Sequence, residues 1–208
     1  MAEKSKRSPA EKRRRRRRMA LSIVGYVVVA FGLAWFFETQ ATTTVLFVRH
    51  ADTDAFVEGD NPGLNARGLL RAEELADFVQ DIDVVAGVDA IYASEFERTQ
   101  QTAQAVARRL DLEVALANPY DVEPFMASVL REHKGRIVLV VTHADAIAPL
   151  IEELHGSKNV PEIATDEYDN FYIVTIPNYG KVKTLRLHYG PRPSAETSSM
   201  MRPAPGGA

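Results

Sequence analysis

The stretch TTVLFVRH, from Thr43 to His50, decides the fold, because its apolar, β-branched run predicts a strand buried on both faces. The seven positions from Ala41 to Phe47 carry no charge, and the run then ends in an arginine beside a histidine. In α/β sheets, ligands bind at the carboxyl ends of the strands. Arg49 and His50 are therefore the first candidates for a functional site.

The chain from about Thr42 to Tyr189 alternates short β-branched runs with helical segments. This pattern predicts an α/β fold, a three-layer sandwich with a mostly parallel central sheet. Strands are predicted at TTVLFV, AIYA, EVAL, RIVLVVT, FYIVTI and KTLRLHY, the last two forming a hairpin at PNYG. Helices are predicted at about Asn65 to Gln80, Glu95 to Leu110, Val122 to His133 and Ala148 to Leu154.

The N-terminal segment has a different character from the rest of the chain. The net charge is −3, but residues 1–18 hold ten basic and two acidic residues, so this segment carries +8 and the remainder −11. The nineteen residues from Met19 to Phe37 carry no charge. As a helix they would span roughly 28 Å, close to the thickness of a bilayer's hydrocarbon core. Because arginines stay on the cytoplasmic side, we predict a single-pass anchor in the cytoplasmic (inner) membrane, with the N-terminus inside and the domain outside, periplasmic or extracellular.

The alternative for this segment is a cleaved signal peptide, since TQA before Thr42 loosely resembles a cleavage site. The apolar stretch exceeds the about 7 to 15 residues usual for such a peptide, which favours a retained anchor. The predicted organisation is a basic tail at 1–18, an anchor at 19–37, a linker at 38–43, a catalytic domain at 44–189 and a disordered tail at 190–208. Cysteine is absent, which excludes disulfides and thiol chemistry, and the acidic domain argues against nucleic acid as a partner.

Three predicted strands end in polar groups that should meet at one edge of the sheet. Arg49 and His50 end the first, Ser94 ends the second, and His143 follows Thr142 at the end of the most apolar one. A lone histidine after a buried strand is usually structural, but a second histidine at a neighbouring strand end favours a shared site.

A helix is predicted to begin within SEFERTQQTA, where Ser94 and Glu97 have the spacing of a capping box. Arg98 would then lie in the first turn, where a cation opposes the helix dipole unless an anion is bound nearby. A pairing of Arg98 with Glu95 explains the sequence equally well.

Two histidines and two arginines at one site would form an electropositive pocket that needs an anion. Phosphate fits best, because its tetrahedral oxygens accept several donors at once, including both nitrogens of an arginine. In this hypothesis Arg49 binds the oxygens and neutral His50 attacks phosphorus, giving a phosphohistidine that water hydrolyses. The neighbouring cations lower the pKa of His50 and so favour its neutral form.

These motifs together resemble the histidine phosphatase superfamily, with its phosphoglycerate-mutase-like fold, over nearly all of Thr44 to Tyr189. The resemblance rests on VRHADT, LNARGLLRAEELA, SEFERTQQTA and VTHADAI, in family order. Asn65 would replace the usual hydroxyl residue as N-cap, and Ala51 stands where glycine is commoner. The resemblance implies a phosphoric monoester hydrolase of the histidine acid phosphatase type, without a cofactor or metal. His50 would be the nucleophile, and Arg49, Arg98 and His143 would complete the phosphate pocket.

The family also uses an acid as proton donor to the leaving oxygen, shortly after the third strand. NPYDVEPF offers Asp121 and Glu123 there, and we predict Glu123, because Asp121 is placed to cap the following helix. The acidic loop from Asp166 to Asp169 is a further source of a donor.

The expected substrate is a phosphorylated small molecule or a macromolecular phosphomonoester. Two alternatives remain. The similar tetrapeptides HADT and HADA, each at a predicted strand end, suggest a metal-dependent hydrolase as one alternative. Its ligands would be His50, Asp52, His143 and Asp145. A catalytically inactive phosphate-binding module is the other.

Overall fold

A computed structural model of the chain describes residues 9–39, 42–54, 61–82 and 87–190. The chain divides into two units after Ala41. In chain order the elements are α1 (Pro9–Thr39), β1 (Thr43–Arg49), α2 (Ala66–Ile82), β2 (Ala90–Ala93), α3 (Glu97–Leu110), β3 (Val114–Leu116), α4 (Val122–Glu132), β4 (Ile137–Thr142), α5 (Ala144–Glu153), β5 (Asn170–Ile176) and β6 (Lys183–His188). The predicted domain boundaries stay a prediction, and the tail from 191 onward lies outside the described residues.

The first unit contains the single helix α1, which runs through both the basic block and the apolar segment. Residues Arg16–Phe36 are long and apolar enough to cross a membrane, and their side chains are not buried within the protein. A signal sequence has the same properties, so this helix supports membrane association only weakly.

The second unit is built on a six-stranded sheet in the order β3-β2-β4-β1-β5-β6. β1 pairs with β4 in parallel, and β4 and β3 both pair with β2 in parallel. β5 and β6 form the predicted antiparallel hairpin, and β5 also pairs antiparallel with β1. The prediction of an α/β fold with a mostly parallel sheet is confirmed, and the most apolar strands, β1 and β4, lie at its centre.

Helices cover both faces of the sheet because the side chains of a strand alternate between faces. Leu46 and Val48 of β1 pack with buried residues of α2 and α3. Val45 and Phe47 pack on the other face with buried residues of α4 and α5. The domain is therefore the predicted three-layer sandwich.

The predicted start of α5 at Ala148 is wrong, because the helix begins four residues earlier, directly after His143. Pro149 lies inside the helix, a position that usually costs about 3 kcal/mol through a lost hydrogen bond. Burial of Ala146, Ile147, Leu150 and Ile151 against the sheet offsets that loss. The early start matters because it places His143 at the N-cap position of α5.

The N-terminus of α2 packs against the segment that follows His50. Asn65 caps this helix as predicted, since its Oδ1 accepts the Gly68 N–H at 2.9 Å. A Cβ atom at Gly68 would lie 2.0 Å from the carbonyl oxygen of Asp52, so only glycine fits there. This close approach fixes the chain just beyond the nucleophile candidate.

Candidate active site

The two histidines lie side by side because their strands are adjacent and in register. Arg49 of β1 aligns with Thr142 of β4, and His50 and His143 are the next residue of each strand. The backbone N–H of His50 donates to the carbonyl of Thr142 at 2.9 Å. The two imidazole ring centroids are 5.4 Å apart and the rings are inclined by 64°. Both rings can therefore reach one small group.

His50 is held by backbone groups and is only 7% exposed. Its Nδ1 lies 2.8 Å from the carbonyl oxygen of Ala51. Because a carbonyl can only accept a hydrogen bond, Nδ1 carries the proton and the lone pair of the neutral ring is on Nε2. The Ala51 N–H in turn donates to Thr102 Oγ1 at 3.0 Å, which ties this turn to α3.

His143 is held by a side chain and is 5% exposed. Its Nε2 lies 3.1 Å from Ser94 Oγ, and this hydroxyl lies 2.7 Å from Thr99 Oγ1. The hydroxyl of Ser94 can donate or accept, so it can serve either protonation state of His143. The three polar groups link the ends of β2 and β4 to the first turns of α3.

Burial is the largest influence on both histidines, and it favours their neutral forms. It lowers the pKa of His50 to about 3, with smaller contributions from His143, Arg49 and Arg98, against the hydrogen bond to Ala51. Burial likewise lowers the pKa of His143 to about 4, helped by Arg98 and opposed by Asp145. At pH 7 the unliganded site therefore holds two neutral imidazoles, one of them with the lone pair that nucleophilic attack requires.

Arg49 is fixed by the segment between α5 and β5. Its Nη1 donates to the carbonyl oxygens of Ala164 at 2.8 Å and Glu167 at 2.9 Å. Its guanidinium carbon lies 4.1 Å from the centroid of the Tyr168 ring, a cation–π contact. Arg49 Nε is buried without a hydrogen-bond partner among the described residues, and it remains available as a donor to an oxyanion.

Arg98 lies in the first turn of α3, as predicted, but the predicted capping box is wrong. The N-cap residue is Phe96, which has no side-chain capping hydrogen bond, and α3 begins at Glu97. Ser94 is engaged with Thr99 and His143 instead, and the Glu97 N–H donates to Asn61 Oδ1 at 3.0 Å. The guanidinium carbon of Arg98 lies 4.6 Å from the centroid of the Phe96 ring, which in turn contacts the His143 ring. Burial and the charge of Arg49 both lower the pKa of Arg98, opposed by Tyr120 and Asp145.

The sequence and the fold both match a known family. Residues 45–118 match the family model of the histidine phosphatase superfamily, branch 1, a segment that includes Arg49, His50 and Arg98. The domain has the histidine phosphatase fold. The predicted resemblance is confirmed, although no curated protein matches the chain in sequence.

Solved structures of similar fold share little sequence with this chain. Mycobacterial glucosyl-3-phosphoglycerate phosphatase is 15% identical, with a TM-score of 0.53 over 64% of this chain and 90% of that one. The protein histidine phosphatase SixA, solved with tungstate, is 19% identical, with a TM-score of 0.56 over 70% of this chain and 96% of that one. Phosphoserine phosphatase from Entamoeba histolytica is 13% identical, with a TM-score of 0.50 over 66% and 95%.

The carboxylates predicted as proton donors lie at the start of α4. Glu123 is exposed in the first turn of α4, and Asp121 at the N-cap accepts a hydrogen bond from Asn118 Nδ2 at 3.1 Å. Among the described residues, no hydrogen bond or ion pair joins either carboxylate to the two histidines. The acidic loop contributes backbone carbonyls to Arg49. The assignment of Glu123 stays a prediction.

Several residues around the site were not assigned from the sequence to the role they have in the structure. Asp145, predicted only as a ligand in the metal-dependent alternative, is the carboxylate whose charge acts on His143, and it accepts a hydrogen bond from the Tyr120 hydroxyl at 3.3 Å. Tyr120 and Phe96 contact the ring of His143, and Tyr168 contacts Arg49. The spacing of Thr99 and Thr102 on one face of a helix is the one signal in the sequence that points to such supporting residues.

The ligand set of the metal-dependent alternative does not assemble. Asp52 forms ion pairs with Arg71 and, at 3.2 Å, with Arg67, so its charge is already balanced by guanidiniums. In the described part of the chain, Glu167, Asp169 and His188 form the group of three ligand-type side chains whose ligand atoms lie within 4.8 Å of one another. The four side chains of the alternative, His50, Asp52, His143 and Asp145, do not form such a group among the described residues.

Proposed function

We propose that the domain is a phosphomonoester hydrolase that works through a phosphohistidine on His50. The observation that carries the proposal is the pair of buried imidazoles at the ends of β1 and β4, with ring centroids 5.4 Å apart. Two guanidiniums of the same site supply the positive charge that a phosphate dianion requires.

Each residue has a role in this reaction. Arg49 and Arg98 bind the phosphate oxygens and stabilise the charge that develops on them in the transition state. The Nε2 lone pair of His50 attacks phosphorus while the ester P–O bond breaks, and the leaving oxygen takes a proton from an acid. Water then attacks phosphorus and gives a proton to the conjugate base of that acid while the P–N bond breaks, so inorganic phosphate, neutral His50 and the protonated acid are regenerated. His143 donates to a phosphate oxygen through the ring proton that Ser94 does not engage.

For the proton donor we propose Glu123, with Asp145 as its structural competitor. Glu123 follows β3 at the position where the family carries its acid. The carboxylate of Asp145, by contrast, is the one whose charge acts on His143. General acid help is worth about 10²- to 10⁴-fold, so Glu123→Gln should lower kcat by that order, most for substrates with poor leaving groups. The matched variant Asp145→Asn should lower it less. The opposite ranking would assign the role to Asp145.

We also propose that α1 anchors the domain outside the cytoplasmic membrane. The basic block before the apolar segment supports this orientation. The substrate is then a phosphomonoester of that compartment, small or macromolecular. Protease protection in intact cells and in spheroplasts tests the topology.

The decisive experiment is hydrolysis of an aryl phosphate by the purified full chain, with and without a strong chelator. We expect turnover that resists the chelator, is inhibited by vanadate, and passes through an acid-labile phosphoryl-enzyme. Loss of turnover in chelator would support the metal-dependent alternative instead. Phosphate binding without any turnover would support the inactive binding module.

A further inference from the structure

Three cavities adjoin the site in the described part of the chain, and they differ in chemistry. One of about 370 Å³ beside Arg49 contains two arginines and three acids. Another of about 340 Å³ is lined by the acids Asp145 and Glu162 together with aliphatic residues and a proline. The third, of about 500 Å³, lies between the segment before α3 and the segment that follows β3, and we call it the aromatic cleft. Its walls include Phe96, Leu116 and Tyr120, with Glu95 as the one acid among the described lining residues.

The aromatic cleft opens directly beside His143. Ser94, which lines it, is the hydrogen-bond partner of His143. The Phe96 ring meets the imidazole edge-on, with centroids 4.9 Å apart and an angle of 90°. The Tyr120 ring lies parallel to the imidazole within 5°, at 6.2 Å. A phosphate bound by the two histidines therefore borders this cleft.

The aromatic walls are held in place rather than left mobile. Tyr120 donates its backbone N–H to Asn118 Oδ1 at 3.1 Å and its hydroxyl to Asp145 at 3.3 Å. Phe96 packs between the His143 ring and the guanidinium of Arg98, whose carbon is 4.6 Å from the Phe96 centroid. Because these side chains are already ordered, ligand binding does not carry the entropy cost of ordering them.

Phe96 also breaks a local rule of helix formation. The N-cap position strongly favours serine, threonine, aspartate or asparagine, because their side chains bond the first free N–H groups. Phe96 offers no such bond, and α3 relies on Asn61 instead. Leu116 is likewise 59% exposed on the edge strand β3. Such departures from local preference concentrate at functional sites.

From these observations we propose that the aromatic cleft binds the organic leaving group of the substrate, and that this group is a flat, apolar ring. The proposal rests on the proposed phosphatase function and assigns its substrate class as aryl phosphomonoesters. A ring in the cleft stacks against Tyr120 and meets the edge of Phe96, while Leu116 covers its outer side. The cavity beside Arg49 disfavours such a group, because the ring would desolvate its ionised side chains. Among the described residues, the cavity that contains Asp145 and Glu162 offers no aromatic wall for a ring to stack on.

Competitive inhibition by phosphonates tests this without the confounding effect of leaving-group acidity. The full chain is assayed with methylphosphonate and with naphthylmethylphosphonate, which share the phosphate-like group and differ in the ring. We expect the naphthyl compound to bind at least about tenfold more tightly to the wild-type protein, since each 1.4 kcal/mol of ring burial gives tenfold.

The variant Leu116→Ala should reduce that preference about fivefold, because part of the wall is removed. The matched control is Leu185→Ala, a leucine 54% exposed on β6 at the opposite edge of the sheet, which should leave the preference unchanged. Equal binding of the two phosphonates, or an equal effect of both variants, would overturn the inference while the phosphatase function stands. If neither phosphonate binds and no ester is hydrolysed, the proposed function itself fails.

Discussion

The ends of β1 and β4 look alike in sequence and differ in how each imidazole is held. Both strands are central, parallel and apolar, and both deliver a buried histidine to the same edge. His50 bonds to a backbone carbonyl, whereas His143 bonds to the hydroxyl of Ser94. A carbonyl fixes a single tautomer, but a hydroxyl can adapt to the protonation state of its partner.

This difference teaches that two histidines of similar burial can have distinct tasks. A nucleophile needs a permanent lone pair in a fixed direction, which the carbonyl of Ala51 enforces on His50. A group that assists a changing phosphate charge needs a partner that can reverse its hydrogen bond, and Ser94 is such a partner. The asymmetry therefore predicts unequal effects of removing the two rings.

The largest expected effect is that of His50→Ala. Removal of the proposed nucleophile should lower kcat/KM by about 10⁴-fold or more and abolish acid-labile phosphoryl incorporation. The matched control, His133→Ala, removes a histidine that bonds the Tyr92 hydroxyl outside the site. This variant should keep both phosphate ester hydrolysis and phosphoryl incorporation. Thermal unfolding of both variants checks that the fold survives. Retention of the phosphoryl-enzyme in His50→Ala would break the assignment.

A smaller effect is expected for His143→Gln. Loss of one donor to the developing charge costs about 10²- to 10³-fold in kcat. Because His50 is untouched, rapid-quench experiments should still detect its phosphorylation. A complete absence of phosphoryl-enzyme would mean that the two histidines do not have separate roles.

Arg98→Ala should act mainly on binding. A charge-assisted hydrogen bond is worth about 1.5–3 kcal/mol, so the inhibition constant of inorganic phosphate should rise about 10- to 100-fold. Arg108→Ala is the control, since that exposed residue of the same helix pairs with Glu73. An equal inhibition constant for the two variants would remove Arg98 from the phosphate pocket.

The last prediction concerns the dependence of stability on pH. Burial holds the pKa of His50 near 3 and that of His143 near 4, whereas both titrate near 6.5 in the unfolded chain. Between about pH 6.5 and 4 the unfolded state therefore binds more protons, and the free energy of unfolding falls as the pH is lowered.

Urea titrations from pH 7 to pH 4.5 measure this slope. The double variant His50→Gln, His143→Gln should show a flatter dependence, because neither replacement titrates. His188→Gln, which removes a half-exposed histidine paired with Asp169, should keep most of the slope. Parallel curves for the wild type and the double variant would contradict the burial of the two rings as neutral groups.

Much of the fold could be predicted from the sequence because its strongest signals are local. The apolar run of β1 and the PNYG turn specify their elements without reference to the rest of the chain. The start of α5 was missed because Pro149 is a local stop signal that packing overrides. The start of α3 differs from the prediction because the Ser94 hydroxyl does not cap the helix. It bonds Thr99 and His143 instead, and His143 lies 49 positions later in the chain.

The site divides in the same way. Arg49, His50 and His143 follow from their places at strand ends, which is a rule of topology. Tyr120, Tyr168 and Asp145 are supplied by segments whose approach to the histidines depends on tertiary packing. Sequence periodicity carries no information on such contacts, so the proton donor was the least determined of the assignments.

The hydrogen bonds that orient Arg49 have a consequence for folding during translation. Its guanidinium is oriented by carbonyls that lie 115 and 118 positions later, and β1 is completed on both sides only when β4 and β5 have been synthesised. A nascent chain that already displays the Arg-His pair therefore lacks the contacts that orient Arg49. The proposed phosphate site can form only late in translation, after β4 and β5 have paired with the first strand.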